Sequence, residues 1–215
     1  MNKQILLPTV NPWLYRSLFP IHRIFISLYF GQIIIKGEEY LPEFGPVVLA
    51  PKHYSRWDPL LIALLSTEAL YFMTNANQFQ GIQGWLIERL GAFPVDLNHP
   101  TISSMRNAIE LLQAGKKLVL FPEGGIVRAR ALRSLKPGLA RLVLQAEGKT
   151  PETTAIPIVP IALRYEPQAN FRANVFINIS APLYAKDYRQ ANDKQTAIAL
   201  TEALETALLE GLETR

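Results

Sequence analysis

Short apolar runs that stop at turns rich in Pro and Gly constrain this chain more than any other feature. Val47-Val48-Leu49-Ala50 leads into Pro51 and a polar stretch. Leu118-Val119-Leu120-Phe121 leads into Pro122-Glu123-Gly124-Gly125, and Ile156-Pro157-Ile158-Val159-Pro160-Ile161 is apolar throughout. A strand with one wet face alternates apolar and polar residues. A run without alternation is buried on both faces, as in a parallel sheet covered by helices. The intervening segments supply those helices. Ile102, Met105, Ile109 and Leu112 recur at helical spacing, and so do Leu139, Leu142, Val143 and Ala146. Helices are expected over residues 13–30, 58–65, 78–90, 101–113 and 138–146, with a long final helix from 187 to 212. Strands are expected at 33–36, 47–50, 69–73, 92–95, 117–121, 156–164 and 174–179.

Strands alternating with helices give an α/β fold: a single domain whose mixed or largely parallel sheet is flanked by helices, with an N-terminal amphipathic helix. Residues 1–30 read as a helical segment appended to one globular domain over 31–215. With 215 residues, 49% of them hydrophobic, that domain can bury a sizeable core.

The N-terminal segment is greasy, but Pro20, His22, Arg23, Gly31 and Gln32 interrupt it. A spanning helix needs about 20 mostly apolar residues with no central charge. Trp13, Tyr15, Tyr29, Arg16 and Arg23 suit the headgroup level of a membrane, so the segment reads as interfacial; a helix packed on the domain itself is the plainer alternative. No signal peptide is expected at the start of the chain. The formal charge of +4 fits a membrane surface or a phosphorylated ligand. The cations form no long run interleaved with aromatics, so nucleic acid is not an expected partner. Cysteine is absent, which excludes thiolate nucleophiles and zinc–thiolate sites; the three histidines sit in unrelated contexts, so no metal is expected.

Chemistry concentrates where the apolar runs end. In Lys52-His53-Tyr54-Ser55-Arg56-Trp57-Asp58 a strand gives way to a helix, the usual place for a site in an α/β fold. If the loop curls back, Asp58 can hold one ring nitrogen of His53 and leave the other free to remove a proton. A helix-capping Asp58 is the plainer alternative. In the second turn, Gly124 and Gly125 let a ligand approach the backbone closely, and Arg128, Arg130, Arg133 and Lys136 follow. Such a loop fits an anion, though a solvated basic loop would look the same. Glu123 is either a surface turn residue or a group that orients a basic one. Pro137-Gly138 opens a helix whose N-terminus can face an anion.

In this order the segments resemble the glycerolipid acyltransferase family, whose bacterial members include 1-acyl-glycerol-3-phosphate acyltransferases. The His-x4-Asp motif is His53 to Asp58. The second motif is Gly91-Ala92-Phe93-Pro94-Val95-Asp96, the third Phe121-Pro122-Glu123-Gly124, and the fourth Ile156-Pro157-Ile158-Val159-Pro160. The resemblance covers roughly residues 30 to 180, and as an ordered set the motifs are specific.

The resemblance implies that residues 31–215 form an acyltransferase domain. His53 would deprotonate the hydroxyl of lysophosphatidic acid or a related lysolipid, and Asp58 would orient it. The acyl donor would be a thioester on coenzyme A or acyl carrier protein, with no further cofactor. Glu123, Gly124, Gly125, Arg128, Arg130, Arg133 and Lys136 would form the substrate and phosphate site. The enzyme would work peripherally on the cytoplasmic face of a membrane, in phospholipid biosynthesis.

The chain departs from the family pattern in three places. Leu97 stands where the second motif usually ends in arginine, and Gly125-Ile126-Val127 replaces the usual Thr-Arg-Ser. Lys52 stands where asparagine is common. The two absent arginines leave open an acceptor without phosphate, and a non-catalytic acyl-lipid-binding protein is the alternative of a different class.

Overall fold

Both faces of the sheet are covered, as the apolar runs require. The computed structural model describes residue 8 and residues 10–95, 102–148 and 155–214. Its elements are α1 (Pro12–Tyr29), β1 (Ile33–Lys36), β2 (Val47–Pro51), α2 (Asp58–Ile62), β3 (Leu70–Asn75), α3 (Gly81–Arg89) and β4 (Ala92–Val95). They continue with α4 (Ile102–Gln113), β5 (Lys117–Val119), α5 (Gly138–Glu147), β6 (Ile158–Glu166), β7 (Asn174–Ile179) and α6 (Asp193–Glu213). One seven-stranded sheet has the order β1-β7-β6-β2-β5-β3-β4. Strands β6, β2, β5, β3 and β4 are mutually parallel; β7 is antiparallel to β6, and β1 runs with β7.

The two-residue period of a strand sorts its side chains between two cores. Val47, Leu49, Val119, Val159, Ile161, Leu163 and Tyr165 pack on one face with Ile26 and Phe30 and with Leu61 and Ile62 of α2. Val48, Ala50, Leu118 and Ile158 face the other way, against Leu112, Leu142, Ala146, Leu200, Leu204 and Leu208 of α4, α5 and α6. The architecture is the α/β sandwich that the apolar runs predict.

Several boundaries move from their sequence expectations: α2 stops at Ile62, with a 3-10 turn over Ala63–Leu65, β3 runs to Asn75, α3 begins at Gly81, β5 ends at Val119 and β6 runs on to Glu166. The last helix begins at Asp193, not 187: residues Ala185–Tyr188 make a single 3-10 turn, and Asn192 caps the helix by accepting from the Gln195 amide at 3.0 Å. Strand β6 begins at Ile158: ahead of it the Ile156 amide is taken by the Glu147 carboxylate at 2.9 Å, and Pro157 has no N–H to give to a ladder. Leu97 and Thr101 lie outside the described residues.

Helix α1 crosses the sheet face that α2 also covers. At its start the Asn11 amide donates to the carbonyl of Arg89, the last residue of α3, and the Tyr15 hydroxyl donates to Glu68 O. At its end Tyr29 and Phe30 meet Trp57 of the loop after β2, with ring centroids 4.3 and 5.8 Å away. The C-terminal ends of β2, β5 and β6 therefore share one edge, and the end of α1 borders it.

Candidate active site

Strand β2 hands the chain to the loop 52–57, and β6 steadies the handover: the Lys52 amide donates to Ile161 O at 2.9 Å. Asp58 is the first residue of α2, followed by Pro59, which a first helical turn tolerates. Its carboxylate does not cap its own helix. It turns back into the loop, where Oδ2 accepts from the amides of Tyr54 (2.6 Å) and Ser55 (2.7 Å) and lies 2.8 Å from His53 Nδ1. Oδ1 accepts the Tyr165 hydroxyl at 2.5 Å. Asp58 is 0% exposed, so these four donors replace all of its water.

A carboxylate can only accept, so Nδ1 is the nitrogen of His53 that carries the proton. Nε2 then presents its lone pair, and it has no hydrogen-bond partner among the described residues. The ring stacks on Phe121 with centroids 4.0 Å apart, and the side chain is 16% exposed. A fixed tautomer, a buried counter-charge and a reachable lone pair are the parts of a general base.

The turn after β5 is tied to this loop bond by bond. Glu123 is buried, with Oε1 accepting from the His53 amide (2.9 Å) and Lys52 Nζ (3.0 Å). Its Oε2 accepts from the Arg133 amide (3.0 Å) and again from Lys52 Nζ (3.2 Å). Lys52, also buried, gives a further bond to Val127 O at 3.1 Å. The Val127 amide donates to His53 O at 2.9 Å, and Arg128 Nε to Tyr54 O at 3.1 Å. Both carboxylate oxygens of Glu123 are thus engaged by protein donors, and the residue anchors the turn.

Gly124 has φ +68°, a left-handed conformation that favours glycine, and its amide closes the turn onto Phe121 O at 3.1 Å. The next amides, of Gly125 and Ile126, make no hydrogen bond among the described residues. Arg133 Nη1 donates to Glu123 O at 3.2 Å. The structure therefore brings His53, Asp58, Glu123, Gly124, Gly125, Arg128 and Arg133 together. Arg130 and Lys136 are exposed and form no hydrogen bond or ion pair among the described residues. Leu97 cannot be placed, and Ile126 sits partly exposed in the turn.

Sequence reasoning missed Tyr165 and the buried Lys52–Glu123 pair. Tyr165 falls one residue past the expected strand end, in a segment read for its apolarity alone. The available signal was its position: β6 neighbours β2, and a polar ring at the C-terminal end of a parallel strand faces the site edge. Burial, and then the Asp58 carboxylate beside it, push the Tyr165 phenol far above its ordinary pKa, so its hydroxyl stays protonated and donates.

A family model described as Acyltransferase matches residues 32–164, which take in both site segments and end one residue before Tyr165. Over 151 residues the chain is 28% identical to a 1-acyl-sn-glycerol-3-phosphate acyltransferase of Streptococcus pneumoniae, covering 68% of this chain and 53% of that protein. The chain thus spans about half the length of that relative. A protein of the same name from Bacillus subtilis is 25% identical over 185 residues, covering 84% of this chain and 88% of its own. Among solved structures, the 1-acyl-sn-glycerophosphate acyltransferase of Thermotoga maritima has the same fold. Its TM-score is 0.73 at 20% sequence identity, with 93% of this chain and 78% of that chain covered.

Proposed function

Given that the chain belongs to the acyltransferase family, we propose that it moves a fatty acyl group from a thioester, on coenzyme A or acyl carrier protein, to the hydroxyl of lysophosphatidic acid or a related lysolipid. The observation that carries this reading is the 2.8 Å contact of His53 Nδ1 with buried Asp58, which leaves Nε2 uncommitted. In the proposed step Nε2 takes the acceptor's hydroxyl proton as the oxygen attacks the thioester carbon. The tetrahedral intermediate collapses, the C–S bond breaks, and the leaving thiolate takes the proton from the imidazolium. The free amides of Gly125 and Ile126, with Arg128 and Arg133 beside them, would hold the acceptor phosphate. The names of the Streptococcus and Bacillus relatives favour that acceptor.

Purified protein is expected to move radiolabel from an acyl thioester onto lysophosphatidic acid faster than onto monoacylglycerol or a neutral lipid alcohol. A preference for the neutral acceptors would instead favour an acceptor without phosphate, which Ile126 in the turn motivates. Thioester consumed without ester product would point to hydrolysis. Tight lipid binding with no turnover would point to a binding protein and overturn the reading.

The same reading places the protein on a membrane surface. Among the described residues no helix is long and apolar enough to cross a membrane. Helix α1 turns Ile26 inward, yet it also carries large apolar side chains outward: Trp13 is 80% exposed, Ile24 61% and Leu28 67%. With Ile21 they line its outer side, and Arg16 and Arg23 are exposed on the same helix. Such a helix suits the boundary between headgroups and acyl chains. The double substitution Ile24→Glu, Leu28→Glu is expected to weaken co-sedimentation with phosphatidylglycerol-containing vesicles at least ~10-fold, given ~1.5–3 kcal/mol for fully burying such a side chain. Unchanged sedimentation would remove α1 from the contact.

A further inference from the structure

We propose that Tyr165 is a positioning residue of the base assembly, donating its hydroxyl proton to Asp58 Oδ1 and, through Asp58, setting how readily His53 takes a proton. The proposal rests on His53 being the general base.

The placement is rigid. In the register of β2 and β6, Pro51 pairs with Ile161, so the two strands carry Tyr165 and His53 to one edge. Tyr165 lies an even number of residues beyond Ile161 and shares its face, the one covered by α1 and α2. Its backbone pairs with Val175 of β7. Its ring packs between Phe30 (5.9 Å) and the stacked ring of Tyr54 (5.5 Å). A ring fixed on both sides aims its hydroxyl, and here it aims at the carboxylate oxygen that the loop leaves unserved. The amides of Tyr54 and Ser55 and His53 Nδ1 all converge on Oδ2, while Oδ1 has Tyr165 as its donor among the described residues.

The consequence has a definite sign. Removing the donor leaves a buried oxygen with uncompensated charge, and the Asp58–His53 pair then holds a proton more tightly. The base is protonated at higher pH, and the acid limb of the rate profile moves up. The other polar groups near this pair stay in place. They are Tyr54 on its own loop, the Lys52–Glu123 ion pair beneath the His53 amide, and Arg128, bonded to Tyr54 O with its guanidinium 5.8 Å from the Tyr54 ring. From α1 the contact is apolar, through Phe30.

The test is the pH dependence of kcat/KM for wild type, Tyr165→Phe, and protein carrying 3-fluorotyrosine at 165. Phe keeps the ring and deletes the donor. Fluorination makes the phenol a stronger donor. The acid limb is expected to move up by roughly half to one pH unit in Tyr165→Phe, which is about 3- to 10-fold in rate at any pH below the limb. The fluorotyrosine protein should move the limb the other way, and the acceptor KM should stay unchanged in both. Limbs that superimpose in all three proteins would reduce Tyr165 to packing, and a raised KM with an unmoved limb would make it a substrate contact; either overturns the proposal. If Phe at 165 does not fold, the fluorotyrosine shift decides alone. Failure of the His53 reading looks different: the wild-type profile would then lack an acid limb altogether.

Discussion

His53→Ala is expected to lower kcat/KM at least ~10²-fold with little change in thermal stability. A general base contributes about 10²- to 10⁴-fold, because the acceptor hydroxyl must otherwise lose its proton to water. The fold should survive. His53 gives its side chain to one hydrogen bond and one stacked contact, and the bonds that hold its loop come from backbone amides and from Lys52. Asp58 keeps three donors in the variant, from Tyr54, Ser55 and Tyr165. The measurement is initial-rate transfer to lysophosphatidic acid at several pH values, beside a thermal melt. Turnover equal to wild type would sink the mechanism, and a collapsed melt would show that the histidine also holds the loop.

The second large effect is on stability. Lys52→Met is expected to cost about 3–5 kcal/mol, the usual loss when one partner of a buried ion pair is removed and the other charge stays behind. Glu123 would keep the amides of His53 and Arg133 but lose the ammonium that touches both of its oxygens. Set against a total of about 5–15 kcal/mol for a typical domain, that is a large fraction. For a chain of this size the melting temperature should fall by roughly 10 °C. Replacing both partners, Lys52→Met with Glu123→Gln, should recover only part of the loss: no charge is stranded, but the Gln amide nitrogen then faces one of the two backbone N–H donors that Glu123 accepted. Thermal melts of the single and double variants measure this. A single variant as stable as wild type would mean that the pair carries no structural weight.

The two variants probe parts of the molecule that differed in how legible they were. The sheet was readable because a parallel strand buried on both faces has no alternation, as 47–50 and 118–121 lack it. The pair His53 and Asp58 was readable because its members lie five residues apart, on one loop and the helix start that follows it, and obey a motif. The role of Glu123 was not, because its four hydrogen bonds come from Lys52, the His53 amide and the Arg133 amide, and no local pattern encodes them. Lys52 looked like a departure from the family. In space it is the counter-charge to a residue 71 positions away. Tyr165 is 107 positions from Asp58 and met it only once β6 lay beside β2. The last helix starts later than 187 because Ala185–Tyr188 forms a separate 3-10 turn and Asn192 supplies the cap.

The separation of these partners along the chain has a consequence for cooperativity. The His53–Asp58 contact and the two loop amides on Asp58 close within 5 residues, but Glu123 and Tyr165, which anchor the two partners, reach in across 70 and 107. They arrive on β5 and β6, the immediate neighbours of β2 at the middle of the sheet. A peripheral opening that frees α3 or the edge strand β4 leaves those neighbours paired, whereas any opening that parts β2 from β5 or β6 dismantles the base, its counter-charge and the glycine turn in one event. The chemistry is thereby bound to the middle strands of the sheet, and the β4 edge can fray without loss of the constellation.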